Sequence, residues 1–291
     1  MNEKKRKIVI TGTTSGIGKA LCEYFSKDNI VYAGYRNEKL VDGLKQISHN
    51  IVPFYIDMKL QDSIACAANF IKIKAEHVDT LINAAGCVIA GVMENLEIKR
   101  IKEQFEVNTF GHLDFTQRLL PLLDGSKIIN ISSMACFGIF PFVGPYCASK
   151  RALDILFNSI MLETHKNIKI VSVKPGVIAT PLWGKSIEEN QTSLEDNKGF
   201  EKELDYMINN ARKNETYGLD VTRVVKLIAE IDKNPNPKSS YTIGWDAKTA
   251  EIISKLPQDV INKLVKYAMR SKLSKIKKLN LIEKFGQSLK L

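Results

Sequence analysis

The segment at residues 7–25 constrains the fold more than any other. Residues 7–11 (KIVIT) form a short apolar run rich in β-branched side chains, which predicts a strand. Gly12, Thr13, Thr14, Ser15, Gly16, Ile17 and Gly18 follow, and then a helical pattern through Ala20, Leu21, Tyr24 and Phe25. A glycine-rich turn between strand and helix lets backbone approach a pyrophosphate at the helix N-terminus. Further strands are predicted at residues 31–34, 51–56, 81–83, 128–131, 168–173 and 241–244. Helical patterns at about 60–75, 99–123, 146–161 and 220–231 fall between them. Strands alternating with helices imply an α/β fold with a doubly wound parallel sheet.

Chemistry concentrates at residues 128–151 (IINISSMACFGIFPFVGPYCASKR). A buried strand ends in two hydroxyls, Ser132 and Ser133. An apolar loop leads to Tyr146 and Lys150, four apart on one helix face. A phenol alone titrates near 10 and is a poor acid–base catalyst at neutral pH. A neighbouring ammonium favours the phenolate and would pull that value down. The plain alternative is a half-buried helix tyrosine beside a solvated lysine.

At these residues the chain resembles the short-chain dehydrogenase/reductase family. That family carries Tyr-x-x-x-Lys with a serine thirteen residues before the tyrosine, matched here by Ser133, Tyr146 and Lys150. The glycine turn has the family's Thr-Gly-x-x-x-Gly-Ile-Gly form, so the resemblance places Gly12, Thr14, Ser15, Gly16, Ile17 and Gly18 at a dinucleotide. Asp57, with Met58, matches the adenine-contacting position, although an Asp there could equally cap a turn. Asn83, Ala84, Ala85 and Gly86 match the Asn-Ala-Ala-Gly segment on the adenosine side. Asn83 could instead tie strands together. Asn108 lies in the Asn-x-x-Gly segment; the resemblance implies a helix kink and a main-chain carbonyl that holds a proton-relay water. Pro175, Gly176, Ile178 and Thr180 match the turn that meets the nicotinamide, with an N-cap role as the alternative for Thr180. At the end of the second strand, Tyr35 and Arg36 stand where NAD enzymes usually place an acid. Arginine pairs with a 2′-phosphate, so NADP(H) is favoured, with NAD(H) as the alternative if Glu38 reaches the ribose.

The resemblance spans residues 7–245 and implies a Rossmann-type, seven-stranded sheet in order 3-2-1-4-5-6-7. It implies an oxidoreductase interconverting a secondary alcohol and a ketone, with Asn108, Ser133, Tyr146 and Lys150 as its catalytic set. Residues 136–143 and 182–183 are largely apolar, favouring a lipophilic steroid-, retinoid- or lipid-like small-molecule substrate. A 3-oxoacyl-thioester reductase and a non-catalytic nucleotide sensor are the competing readings. Residues 181–214 are the least regular part of the sequence; the resemblance implies a helical substrate lid there, with a variable surface insertion as the alternative. The chain, residues 1–291, is expected to be a single domain, and the resemblance implies a homodimer or homotetramer built on its long helices.

The net charge of +10 is concentrated at one end. Residues 248–291 hold 11 basic and 3 acidic side chains, while the other 247 residues hold 31 and 29. The nearly neutral body, without an aromatic-interleaved basic groove, argues against a nucleic-acid partner. An amphipathic helix is expected at residues 259–276 within a basic tail at about 246–291. Ile261, Val265, Ala268, Met269, Leu273 and Ile276 share one face and Lys263, Lys266, Arg270 and Lys277 the other. That helix could pack on the body, or make peripheral contact with an anionic membrane. Five scattered cysteines without Cys-x-x-Cys, four scattered histidines and a charged N-terminal segment predict free thiols, no metal centre and a cytoplasmic location, with membrane association as the alternative.

Overall fold

The structure is a computed structural model that describes residues 5–190 and 199–270, apart from the side chains of Lys202, Met269 and Arg270. Seven strands form one parallel sheet in the order β3-β2-β1-β4-β5-β6-β7. They are β1 (Lys7–Ile10), β2 (Ile30–Tyr35), β3 (Ile51–Tyr55), β4 (Thr80–Asn83), β5 (Lys127–Ile131), β6 (Lys169–Pro175) and β7 (Ser240–Ile243). Every pairing is parallel, so each crossover must carry the chain back over a face, and helices do this.

Successive strand residues point to opposite faces, and the sheet therefore has two cores. Val9, Leu81 and Ile128 face one layer; Ile8, Ile10, Ile82 and Ile129 face the other. The first layer is completed by α3 (Gln61–Lys74), α5 (Gly111–Leu119) and α6 (Gly144–Glu163), with Phe115 and Phe157 fully buried in it. The second is completed by α1 (Gly16–Phe25), α2 (Val41–Ile47) and α9 (Val221–Lys233), through Leu21, Leu44 and Ile228.

The helix expected at 99–123 is broken in two. α4 (Ile98–Phe105) passes into a wider π-helical turn at Glu106–Phe110 before α5 begins. The turn holds Asn108, whose side chain bonds outside the helix instead of tolerating regular spacing around it. The region expected to be a helical lid contains two helices, α7 (Leu182–Glu189) and α8 (Glu201–Tyr217). α8 is mostly polar, and only the inward Leu204, Met207 and Ala211 mark its packed side. The rest of the lid reading, residues 191–198, lies outside the described residues.

After β7 come α10 (Trp245–Ile253) and α11 (Gln258–Arg270). The amphipathic helix expected to 276 is described only to Arg270; Leu273, Ile276 and Lys277 lie outside the described residues. Among the described residues no helix is long and apolar enough to cross a membrane.

Candidate active site

A cleft of about 1850 Å³ opens at the C-terminal ends of the strands. One end is the turn after β1. Gly12 has φ +70°, and a Cβ on it would lie 2.7 Å from the Ala85 backbone, so only glycine lets the two turns meet. Thr11 Oγ1 accepts from the Ala84 and Ala85 amides at 3.0 and 3.1 Å, locking the same seam. Ser15 is the N-cap of α1 yet makes no side-chain capping bond, and Gly16, Ile17 and Gly18 line the cleft. The open first-turn amides and the positive helix end suit a pyrophosphate. Thr14 and Ser15 line this end as well, and so do Tyr35, Arg36, Asp57, Met58, Ala84, Ala85 and Gly86. Glu38 does not; it starts a short 3₁₀ turn capped by Asn37. The donors and shape here fit a dinucleotide.

The other end is built on β5 and α6. Ser133 closes the turn after β5 and its Oγ accepts from the Ala135 amide at 3.1 Å. Tyr146 and Lys150 sit one turn apart on α6, both buried, at 6% and 4% exposure. The Ser133 hydroxyl hydrogen-bonds the Tyr146 phenol and favours its ionised form. The Trp183 ring of α7 meets the Tyr146 ring edge-on at 6.3 Å, so α7 packs against the tyrosine. Gly138–Val143 forms the adjoining wall. There Phe142 has φ +66°, rare for a bulky side chain; its carbonyl accepts from the Gly91 amide at 2.9 Å and its ring meets Phe200.

The expected acidification of the phenol is absent here. Burial pushes the Tyr146 phenol up to about 12, outweighing the Ser133 hydrogen bond. The Lys150 ammonium donates instead to the Ile131 carbonyl at 2.8 Å and stands 6.0 Å from the Tyr146 ring centre. Burial lowers Lys150 to about 8, opposed by Asp154 one turn further along α6.

The remaining sequence candidates divide. Pro175, Gly176 and Ile178 line the cleft, held by the Asp246 carboxylate, which accepts from the Val177 amide at 2.7 Å. Thr180 packs beside Gly16 and is not in the lining. Asp57 lines the cleft and also caps its own turn, accepting from the Lys59 amide. Asn83 takes the strand-tying alternative: it is buried in the sheet seam, donating to Asn130 at 2.8 Å and to Thr116 at 3.4 Å, and is not in the lining. Asn108 is also buried. It accepts from the Cys87 amide and donates to the Cys87 carbonyl and to Ser149, whose hydroxyl donates to the Tyr146 carbonyl.

Some site residues were missed by sequence reasoning. Gln104 holds the Cys87–Ile89 segment from both sides, and Lys185 of α7 reaches Ser15 of the glycine turn at 3.3 Å. Neither carries a local signal, because each acts across more than ten residues of chain. Asp154 did have one, since 146, 150 and 154 repeat every four residues. Among the described residues no cluster of His, Cys, Asp and Glu could hold a metal.

Sheet order, glycine turn and cleft together define an α/β protein of the dinucleotide-dependent oxidoreductase class. The family model for short chain dehydrogenase matches residues 6–191, and the chain belongs to that family. It is an oxidoreductase acting on the CH–OH/C=O pair with NAD(P). It is 29% identical to an NADPH-dependent 3-dehydrocapnine reductase of Ornithobacterium rhinotracheale, over 82% of this chain and 88% of that one. It is also 29% identical to a 3-ketodihydrosphingosine reductase of Bacteroides thetaiotaomicron, over 78% and 77%. Among solved structures, a short-chain dehydrogenase from Streptomyces avermitilis superposes with a TM-score of 0.75 at 22% identity, covering 92% of this chain and 97% of that one.

Proposed function

We propose that this protein is an NADP(H)-preferring oxidoreductase that interconverts a lipophilic secondary alcohol and its ketone, with Tyr146 as the acid–base. The observation that carries the reading is the convergence of the Ser133 hydroxyl, Tyr146 phenol and Lys150 ammonium on one cleft whose far end is the glycine turn. The bound nicotinamide supplies or accepts the hydride. Tyr146 gives its proton to the carbonyl oxygen in reduction and takes it back in oxidation. A phenol held near 12 keeps its proton at neutral pH, which suits the acid role. Ser133 orients the reacting oxygen where charge develops. Lys150 binds the nicotinamide ribose, and Asn108 places the relay water at its main-chain carbonyl. Pro175, Gly176 and Ile178 shape the nicotinamide end, with Thr180 behind them beside Gly16, while Arg36 meets the 2′-phosphate, a role supported by its place in the lining and by Glu38 lying outside it.

Substrate class is supported by the walls beside Tyr146, which are apolar (Val88, Phe140, Val143, Leu182, Met207), and by the relative named for a 3-keto substrate. A homo-oligomer is supported by apolar side chains left exposed on the α5–α6 face, Phe110, Ile155 and Leu162. Cytoplasmic residence and peripheral membrane contact through the lysine face of α11 complete the proposal. The test is a panel of lipophilic ketones and alcohols offered with each reduced and oxidised cofactor, read by cofactor absorbance. NADPH-dependent ketone reduction is expected, and Arg36→Ala should weaken NADPH binding more than NADH binding by fluorescence. Tighter NADH than NADPH binding by the unaltered protein would overturn the cofactor assignment.

A further inference from the structure

The cleft is larger than one small-molecule site. Such sites run from about 300 to 1,000 Å³, and this one is about 1850 Å³. The glycine turn and Arg36 account for a dinucleotide's end. The remainder continues past Tyr146 into a trough that the family model does not reach, since the match stops at residue 191.

Helix α11 forms one wall of the trough. Ile261, Leu264, Val265 and Ala268 line it, spaced i, i+3, i+4 and i+7. That spacing is a single stripe along a helix, and at 1.5 Å per residue it runs for about 10 Å. Met207 and Ala211 of α8 and Ile253 of α10 line the same trough. The face expected to meet the body or a membrane is therefore turned to the cleft. Ile261 is buried, but Leu264 is 47% exposed, an apolar side chain uncovered within a trough that leads to the phenol. On the other flank of Val265 lies a second hollow of about 310 Å³, walled by Met93, Ile139 and Phe142. Met93 and Ile139 are themselves exposed, so the path ends on an apolar rim.

A narrow apolar stripe two helical turns long fits an extended chain and not a compact ring system. We infer that the trough beneath α11 holds the unbranched alkyl tail of the substrate, so that the protein acts on long-chain ketones or alcohols. This rests on the proposed alcohol–ketone chemistry at Tyr146. The tail would run along Leu264, Val265 and Ala268 and leave toward Ile139, with the reacting carbon held under Trp183.

The test is a homologous series of unbranched methyl ketones, from butanone to pentadecanone, reduced by the full chain with NADPH. Burial of each methylene is expected to raise kcat/KM by about fourfold until the trough is filled. Val265→Trp or Ala268→Trp should stop that climb several methylenes earlier and collapse the ratio of long- to short-chain kcat/KM. Thermal melting of both variants guards against a folding defect, and two sites make a shared defect easy to recognise. Short ketones turned over with no dependence on chain length, or tryptophan variants that leave the climb intact, would overturn the tail site while leaving the chemistry standing. Preference for a steroid ketone over every linear one would do the same. NADPH binding with no ketone of any length reduced would instead overturn the underlying reading, and the tail site with it.

Discussion

At the scale of the residue, Lys150 is held between two opposing pressures. Burial drives its ammonium toward neutrality, and Asp154 holds the proton on. Asp154 is itself buried, 3.4 Å from Lys174. The groups facing Lys150 are thus the Ile131 carbonyl, Asp154, Cys87 and Cys136. A lysine near 8 loses its charge just above neutral pH, and ketone reduction should fall off on that alkaline side. Asp154→Asn removes the charge that raises Lys150, so the alkaline limb of kcat/KM against pH should move to lower pH. An unmoved limb would remove Asp154 from the account. The pairing of Tyr146 with Lys150 was legible because helical spacing is local. The lysine's actual partner, the Ile131 carbonyl, was not, because that contact joins a helix to a strand end nineteen residues earlier.

At the scale of the element, α5 is the strut that fixes the turn after β4. His112 is fully buried, and its Nε2 donates to the Ala85 carbonyl at 2.8 Å, which sets the tautomer. Burial lowers His112 to about 4 from an ordinary 6.5. Between those values the unfolded chain binds a proton that the folded chain does not. The stability that His112 contributes by being neutral is complete above about 6.5 and is lost as pH falls through about 4. Acidification over that window should cost the protein ~3 kcal/mol through this group. Denaturant titrations of the parent and His112→Gln at neutral and acid pH would check this; the variant should show a smaller acid loss. An equal loss in both would show that His112 does not set it. The strands were legible because each apolar run ends in a turn and is followed by a helix, and their order followed from the resemblance. The break at Asn108 and the helices of residues 181–214 were legible only through the resemblance; the π form of the turn at Glu106–Phe110 was not, because it depends on Asn108 finding Cys87 across the fold.

At the scale of the whole molecule, the sheet brings the chain's two informative segments, the glycine turn and the stretch from Ser133 to Lys150, to the same edge. Parallel strands put their C-terminal ends together, and a ligand site opens where the order reverses between β1 and β4. Residues of α7, α8, α10 and α11 line the same cleft, so that regions without motifs contribute to its walls. The central claim is that Tyr146 moves the proton while the rest of the cleft binds the cofactor, and it is tested most directly by Tyr146→Phe. The variant should keep NADPH affinity, measured by fluorescence titration, and lose about 10²–10⁴-fold in kcat/KM for ketone reduction. Turnover equal to that of the unaltered protein would contradict the account.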